Sequence, residues 1–170
     1  QNNLASNFIF VANSLTDTKR DATVVEGNER VLKARLSDAN FFWRSDLSKS
    51  FEYWNDKLRK VAFYEGLGSV YDKTLRMSKI SNFVSKAFNV NPSLASQTAL
   101  LSKADLASEM VGEFPELQGV MGGYYSDLIG YQKEISKAIT EHYKPRGALD
   151  SIPKTNIGGM LSIIDKIDTL

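Results

Sequence analysis

The sequence predicts an all-α domain of about seven helices with a short extended segment at its N-terminus. Three observations carry this. From Gly27 onward, apolar residues recur at helical rather than alternating spacing. Gly and Pro fall between those stripes, at Gly66 and Gly68, Pro92, Pro115, Gly130 and Pro145, where helices stop and start. Outside Phe8–Val11 and Thr23–Val25, no stretch reads as strand. At 170 residues the chain suits one domain.

The elements follow in order. Phe8, Ile9, Phe10 and Val11 form a short apolar run with strand character, ended by Asn13 and Ser14. Thr16–Asp21 reads as a polar loop, and Thr23, Val24 and Val25 as a second extended piece. Leu32, Leu36, Ala39 and Trp43 share one helix face. Trp54, Leu58 and Val61 repeat that pattern in a second helix, and a third runs from about Val70 to Phe88. Asn91-Pro92-Ser93 opens a fourth, with Ser93 as the expected cap. It carries Leu100, Ala104, Ala107 and Val111 on one face and ends at Phe114-Pro115, since a residue before proline is pushed out of the α region. Pro115 opens a fifth, which Gly122-Gly123 and Gly130 interrupt or end. Tyr131, Ile135, Ala138 and His142 stripe a sixth, stopped by Lys144-Pro145. After a loop over 147–156, Met160, Ile163, Ile164 and Ile167 mark the last. That helix runs to Leu170 without a cap, so the chain reads as a piece of a longer protein.

Composition narrows the chemistry. There is no cysteine, which excludes disulfides, zinc fingers, iron–sulfur clusters and thiol nucleophiles. A single histidine excludes any site that needs two. With 21 Lys+Arg against 20 Asp+Glu there is no dominating basic field, so nucleic-acid binding has to come from a local patch. Charge is unevenly placed. Residues 1–85 hold 13 basic and 10 acidic side chains, and residues 86–170 hold 8 and 10. No apolar run approaches the ~20 residues that span a bilayer, so no membrane is expected.

Five blocks are distinctive. VVEGNERVLKARLSDA runs from Val24 to Ala39 and is followed by Phe41-Phe42-Trp43. Leu67-Gly68-Ser69 precedes Asp72-Lys73. Lys103-Ala104-Asp105-Leu106 leads into MVGEFPELQGVMG from Met110 to Gly122. Glu141-His142-Tyr143-Lys144-Pro145 and Asp165-Lys166-Ile167-Asp168-Thr169-Leu170 complete the set. In this order the blocks resemble the beta subunit of the bacterial tetrameric (alpha2beta2) glycyl-tRNA synthetase, across nearly the whole chain. The resemblance implies a central part of that subunit, with a helical domain similar to the HD phosphohydrolase fold. Residues 1–26 would be the tail of a preceding module and a linker. Residues 27–170 would be the HD-like domain, truncated at its C-terminus. It further implies a cytoplasmic ligase joining glycine to tRNA(Gly) in protein biosynthesis. ATP and Mg would act at the alpha subunit, with no cofactor in this chain. The implied partners are tRNA(Gly), the alpha subunit and the remaining beta-subunit domains.

The HD resemblance also implies metal ligands: an early histidine, a His-Asp pair and a late aspartate. Here Ala104-Asp105 stands at the pair, so alanine replaces its histidine. Asp165 resembles the late aspartate and His142 an accessory histidine. The third helix, with Asp72 and Arg76, holds no histidine. The ligand set is incomplete, so no metal and no catalytic residue is expected. Asp105 is expected to accept hydrogen bonds from Lys103, Lys166 or a backbone N–H, and His142 to be a satisfied core histidine. The alternatives are a divergent HD-type metal-dependent phosphohydrolase using Asp105, His142 and Asp165, or a purely structural interaction module.

Arg30, Lys33 and Arg44 are the candidate RNA contacts, because side chains of this type neutralise phosphates and release counterions. Glu26, Glu29 and Asp38 lie at pairing distance along the same helix and compete for that charge. Phe42 and Trp43 are expected in the core, leaving Phe41 the most exposed of the three, and Tyr124 and Tyr125 are expected in the core as well. Gly122-Gly123 is no phosphate loop, since no Gly-Lys-Ser/Thr follows it.

Overall fold

A computed structural model describes residues 5–13 and 18–170, apart from the side chains of Thr18 and Lys19. Its elements are α1 (Thr18–Asp46), α2 (Phe51–Leu58), β1 (Ala62–Tyr64), β2 (Gly68–Ser69), α3 (Val70–Val84), α4 (Pro92–Leu101), α5 (Glu109–Glu113), α6 (Val120–Ile129), α7 (Lys133–Glu141) and α8 (Asn156–Ile167). Short 3-10 turns at Ser85–Phe88, Ala104–Ala107 and Pro115–Leu117 join several of them. The fold is therefore all-α, as the periodicity predicts. The chain divides into two compact units, Gln1–Asp38 and Ala39–Leu170.

In the first unit, residues 5–13 form no helix or ladder, and Phe8 and Phe10 stack at 6.3 Å between ring centroids. The expected extended piece at Thr23–Val25 is helical, and so are residues 18–21 of the expected polar loop. Ser14, Thr16 and Asp17 lie outside the described residues. The β-branched trio Thr23-Val24-Val25 suggests strand by propensity, but flanking helix formers and Asn28, which donates to the Val24 carbonyl at 2.8 Å, keep the turn helical. Leu36 is 62% exposed, so the apolar stripe of this helix is not buried throughout.

The second unit has two apolar clusters. One gathers Phe51, Trp54, Leu101, Met110, Val111, Met121, Tyr125, Ile135 and Ile139, with Phe42 and Trp43 packed against it. Aromatic contacts organise it: Tyr125 lies 5.0 Å from Trp54 and 5.4 Å from Trp43, centroid to centroid. The other gathers Met77, Val90, Ala95, Ala99, Ala138, Ile157, Met160, Leu161 and Ile164. Phe41 is exposed, as expected of three successive aromatics, but so is Tyr124, whereas Tyr125 is fully buried.

Three further differences from the sequence reading have local causes. Val61 leaves α2 and precedes an antiparallel hairpin, in which Ala62 pairs with Ser69 and Tyr64 with Gly68. Gly66 and Gly68 supply the positive φ values its turn needs. The fourth helix is capped by Asn91, whose Oδ1 accepts from Ser93 N at 2.9 Å and Leu94 N at 3.2 Å, rather than by Ser93. It also does not continue to Phe114: α4 ends at Leu101, and α5 starts afresh at Glu109 with Ser108 as its cap. The break is fixed by two buried carboxylates, Asp105 and Asp46, each of which accepts from backbone amides at a new helix start.

Gly122 and Gly123 lie inside α6 and bring α7 against it. A Cβ on Gly123 would collide with Thr140 Oγ1 and stand 3.0 Å from the Ser136 carbonyl oxygen. Alanine has the better helix propensity by about 1 kcal/mol. Gly123→Ala is nonetheless expected to destabilise by about 2 kcal/mol in urea denaturation, because overpacking against backbone has no rotamer escape. An unchanged midpoint would show that α7 can move aside.

Candidate functional site

Lys103, which the sequence reading assigned only as a hydrogen-bond partner, bonds Asp165 and interacts electrostatically with Asp105 and His142. The 3-10 turn after α4 delivers Lys103 and Asp105, the C-terminal end of α7 delivers His142, and α8 delivers Asp165. Asp105 is fully buried, and its Oδ2 accepts from Gly119 N at 2.6 Å and Gly122 N at 2.9 Å. The carboxylate thus caps the N-terminus of α6, where amides and helix dipole favour negative charge. Burial is the largest influence and raises its pKa to about 6, against the pull of those amides and Lys103.

His142 is also fully buried, and its Nδ1 lies 2.7 Å from the Ile139 carbonyl oxygen. A carbonyl only accepts, so Nδ1 carries the proton and Nε2 presents a lone pair. Burial first, then the positive charge of Lys103, hold the ring well below the usual histidine pKa, hence neutral. Nε2 has no hydrogen-bond partner, nor do Asp105 Oδ1 and the Tyr143 hydroxyl. The expectation of a satisfied histidine is therefore met at one ring nitrogen only.

Lys103 donates to Asp165 Oδ2 at 2.8 Å, and its ammonium sits 3.7 Å from the Tyr143 ring centroid. Burial lowers its pKa to about 8, with Asp165 opposing. It thus stays mostly charged at pH 7 and pairs with Asp165, not with Asp105 as a hydrogen bond. Lys166 lies elsewhere, donating to Lys144 O and Ser162 Oγ. The second oxygen of Asp165 is 3.2 Å from Lys73 Nζ. That contact is an ion pair without hydrogen-bond geometry, because Lys73 aims its protons at Asp165 O, Asp168 Oδ2 and Thr169 Oγ1. Burial disfavours the Asp165 anion, but the charges of Lys103 and Lys73 bring its pKa below the usual value. Arg76 extends the network by gripping Asp168 with two bonds of 2.7 and 2.9 Å. That Lys73 and Lys103 share Asp165 has no sequence signal, since the three lie far apart along the chain.

These residues do not fit a divalent metal as they stand. An ammonium already binds the late aspartate, one oxygen of Asp105 is committed to two amides, and among the described residues no three His, Asp or Glu side chains are grouped to hold an ion.

The basic candidates are surface groups. In the first unit, Arg30 reaches Glu26 at 3.4 Å with both side chains about three-quarters or more exposed (81% and 74%), a contact worth little in water. Lys33, one turn on, is exposed. In the second unit, Arg44 is exposed in the last turn of α1. A separate cleft of about 380 Å³ between α6 and α7 is lined by Tyr124, Asp127, Lys133, Lys137, Thr140 and Glu141 among others. Sequence periodicity gave no sign of it. No described helix is long and apolar enough to cross a membrane.

Comparison with known proteins bears on the whole chain. The family described as Glycyl-tRNA synthetase beta subunit matches residues 1–170. The glycine–tRNA ligase beta subunit of Pseudomonas fluorescens (strain Pf0-1) is 46% identical over 167 residues, which is 98% of this chain and 24% of that protein. The corresponding subunits of Pseudomonas savastanoi pv. phaseolicola and Stutzerimonas stutzeri are 44% and 42% identical over the same share. The chain spans about a quarter of the length of these curated relatives. A match across every residue, over a helical fold in the order the sequence blocks require, places this chain in the glycyl-tRNA synthetase beta subunit family.

Proposed function

We propose that this chain serves glycine–tRNA ligase, the enzyme that joins glycine to tRNA(Gly) with ATP, as a helical module that helps seat the tRNA and supports subunit assembly. In this reading it has no catalytic residue of its own, and glycine, ATP and Mg are handled by the alpha subunit in the cytoplasm. Its partners are tRNA(Gly), the alpha subunit and the other beta-subunit domains, and residues 27–170 are an HD-like domain in which Asp105, His142 and Asp165 are structural remnants. The observation that carries the reading is the family match over residues 1–170. The exposure of Arg30, Lys33 and Arg44 adds to it, since exposed cationic side chains can meet phosphate. The pairing of Asp165 with Lys103 weighs against phosphohydrolase chemistry, which would need that carboxylate for a metal.

The test uses the intact alpha–beta enzyme with Arg30→Glu and Lys33→Glu together. Binding of tRNA(Gly) is expected to weaken about tenfold or more at fixed salt, as two attractive charges become repulsive. Unchanged affinity would favour the purely structural module.

A further inference from the structure

The cleft between α6 and α7 shares no residue with the buried polar cluster or with the basic side chains of α1. Its volume of about 380 Å³ lies at the low end of small-molecule sites. α6 lines it with Tyr124 and Asp127, one turn apart and both exposed. α7 lines it with Lys133 and Lys137, again one turn apart and exposed. The helix patterns explain why these four side chains meet water. α7 buries Ile135, Ala138 and Ile139, which leaves its two lysines on the outer side. α6 buries Met121 and Tyr125, which leaves Tyr124 61% exposed.

Among the described residues, none of these four side chains is engaged in a hydrogen bond or an ion pair. The other acid at the cleft, Glu141, is already used. Its Oε2 accepts from Lys154 N, Thr155 N and Thr155 Oγ1, which turns it toward the start of α8. The cleft thus offers one aromatic face, two unpaired ammonium groups and one unpaired carboxylate. That set matches the parts of a nucleotide. An unstacked base lies on an aromatic face, a phosphate takes lysine, and a carboxylate accepts from an exocyclic amine or a ribose hydroxyl. An apolar peptide would fill the cleft but leave both ammonium groups without a partner.

We propose that the α6–α7 cleft binds one unpaired nucleotide of tRNA, its base against Tyr124 and its phosphate on Lys133 and Lys137. This rests on the tRNA role proposed above and adds a site that Arg30, Lys33 and Arg44 do not form. The contact is tolerant of base identity, since every base has a π-face.

The experiment measures tRNA(Gly) binding by the intact alpha–beta enzyme at fixed salt. Every variant alters an exposed side chain without a partner, so folding is not at stake. Tyr124→Ala is expected to weaken binding about tenfold, and Tyr124→Phe to keep wild-type affinity, because stacking uses the ring and not the hydroxyl. Lys133→Ala/Lys137→Ala is expected to weaken binding and to make the salt slope shallower by about 1. The Arg30→Glu/Lys33→Glu enzyme is measured beside them. If it loses affinity and Tyr124→Ala does not, the cleft assignment is wrong while the tRNA role stands; if neither loses affinity, both are wrong. Dialysis against cytidine monophosphate and gel filtration test the competing occupants. If Tyr124→Ala keeps its tRNA affinity but loses the free nucleotide, or releases alpha from beta, the cleft serves that other ligand and the proposal is overturned. Equal weakening by Tyr124→Phe and Tyr124→Ala overturns it as well.

Discussion

Replacing Asp165 with alanine is expected to destabilise the chain by about 3–5 kcal/mol, because it strands buried ammonium groups without their counter-charge. Lys103 and Lys73 have side chains only 4% and 5% exposed, and both lie within 3.2 Å of this carboxylate. Lys103 would lose its sole carboxylate hydrogen bond, while Lys73 would keep Asp168 and Thr169. The effect should therefore fall mainly on Lys103, and Lys103→Met in the Asp165→Ala background should recover much of the stability. Urea denaturation measures both. The exposed Arg59–Asp56 pair, at a similar 3.1 Å, should be worth only a few tenths of a kcal/mol, since water already solvates both ends. A loss below about 1 kcal/mol for Asp165→Ala would mean that the lysines escape to solvent, and the central cluster would not be the tie described here.

Asp46→Ala should be nearly as costly, at about 3–4 kcal/mol, for a different reason. Asp46 is 1% exposed and stands at the end of α1. Its Oδ1 accepts from Glu109 N at 2.9 Å, and its Oδ2 from Met110 N at 3.0 Å and from the Tyr125 hydroxyl at 2.8 Å. One carboxylate thus satisfies two otherwise free amides of α5 and the only polar atom on a fully buried tyrosine side chain. Hydrogen bonds to a charged acceptor contribute about 1.5–3 kcal/mol each, and three sharing one acceptor do not add fully. Tyr125→Phe should remove about 1 kcal/mol in wild type and almost nothing in the Asp46→Ala background. Thermal or urea midpoints of the four proteins close the cycle, and strictly additive effects would show that the hydroxyl bond contributes nothing.

Much of the helical framework was legible because it rests on local chemistry. The stripe through Ile135, Ala138 and His142 marked a buried helix face, and all three are buried. Pro92 announced the start of α4, although the cap is Asn91, one place before the proline, and not the serine that propensity favoured equally. What could not be read depends on side chains meeting across the chain. Nothing near Ala104 or Ala107 says that the helix breaks there; the break comes from Asp46, some sixty residues earlier, and from Asp105 turning inward to cap α6. The hairpin was missed because two and three residues carry too little alternation to register. At the candidate site, Asp105, His142 and Asp165 were found through family resemblance. Their relation to Lys103 was not, since the Lys103–Asp165 pair is a fact of packing between the turn after α4 and α8.

We propose that this module meets RNA through its exposed charge, while its buried polar centre is structural. The most direct measurement is the salt dependence of tRNA(Gly) binding by the intact enzyme, wild type against Arg30→Glu/Lys33→Glu. The slope of log affinity against log salt is expected to become shallower by about 1 for each phosphate that is no longer neutralised. Identical slopes and identical affinities for the two enzymes would contradict it.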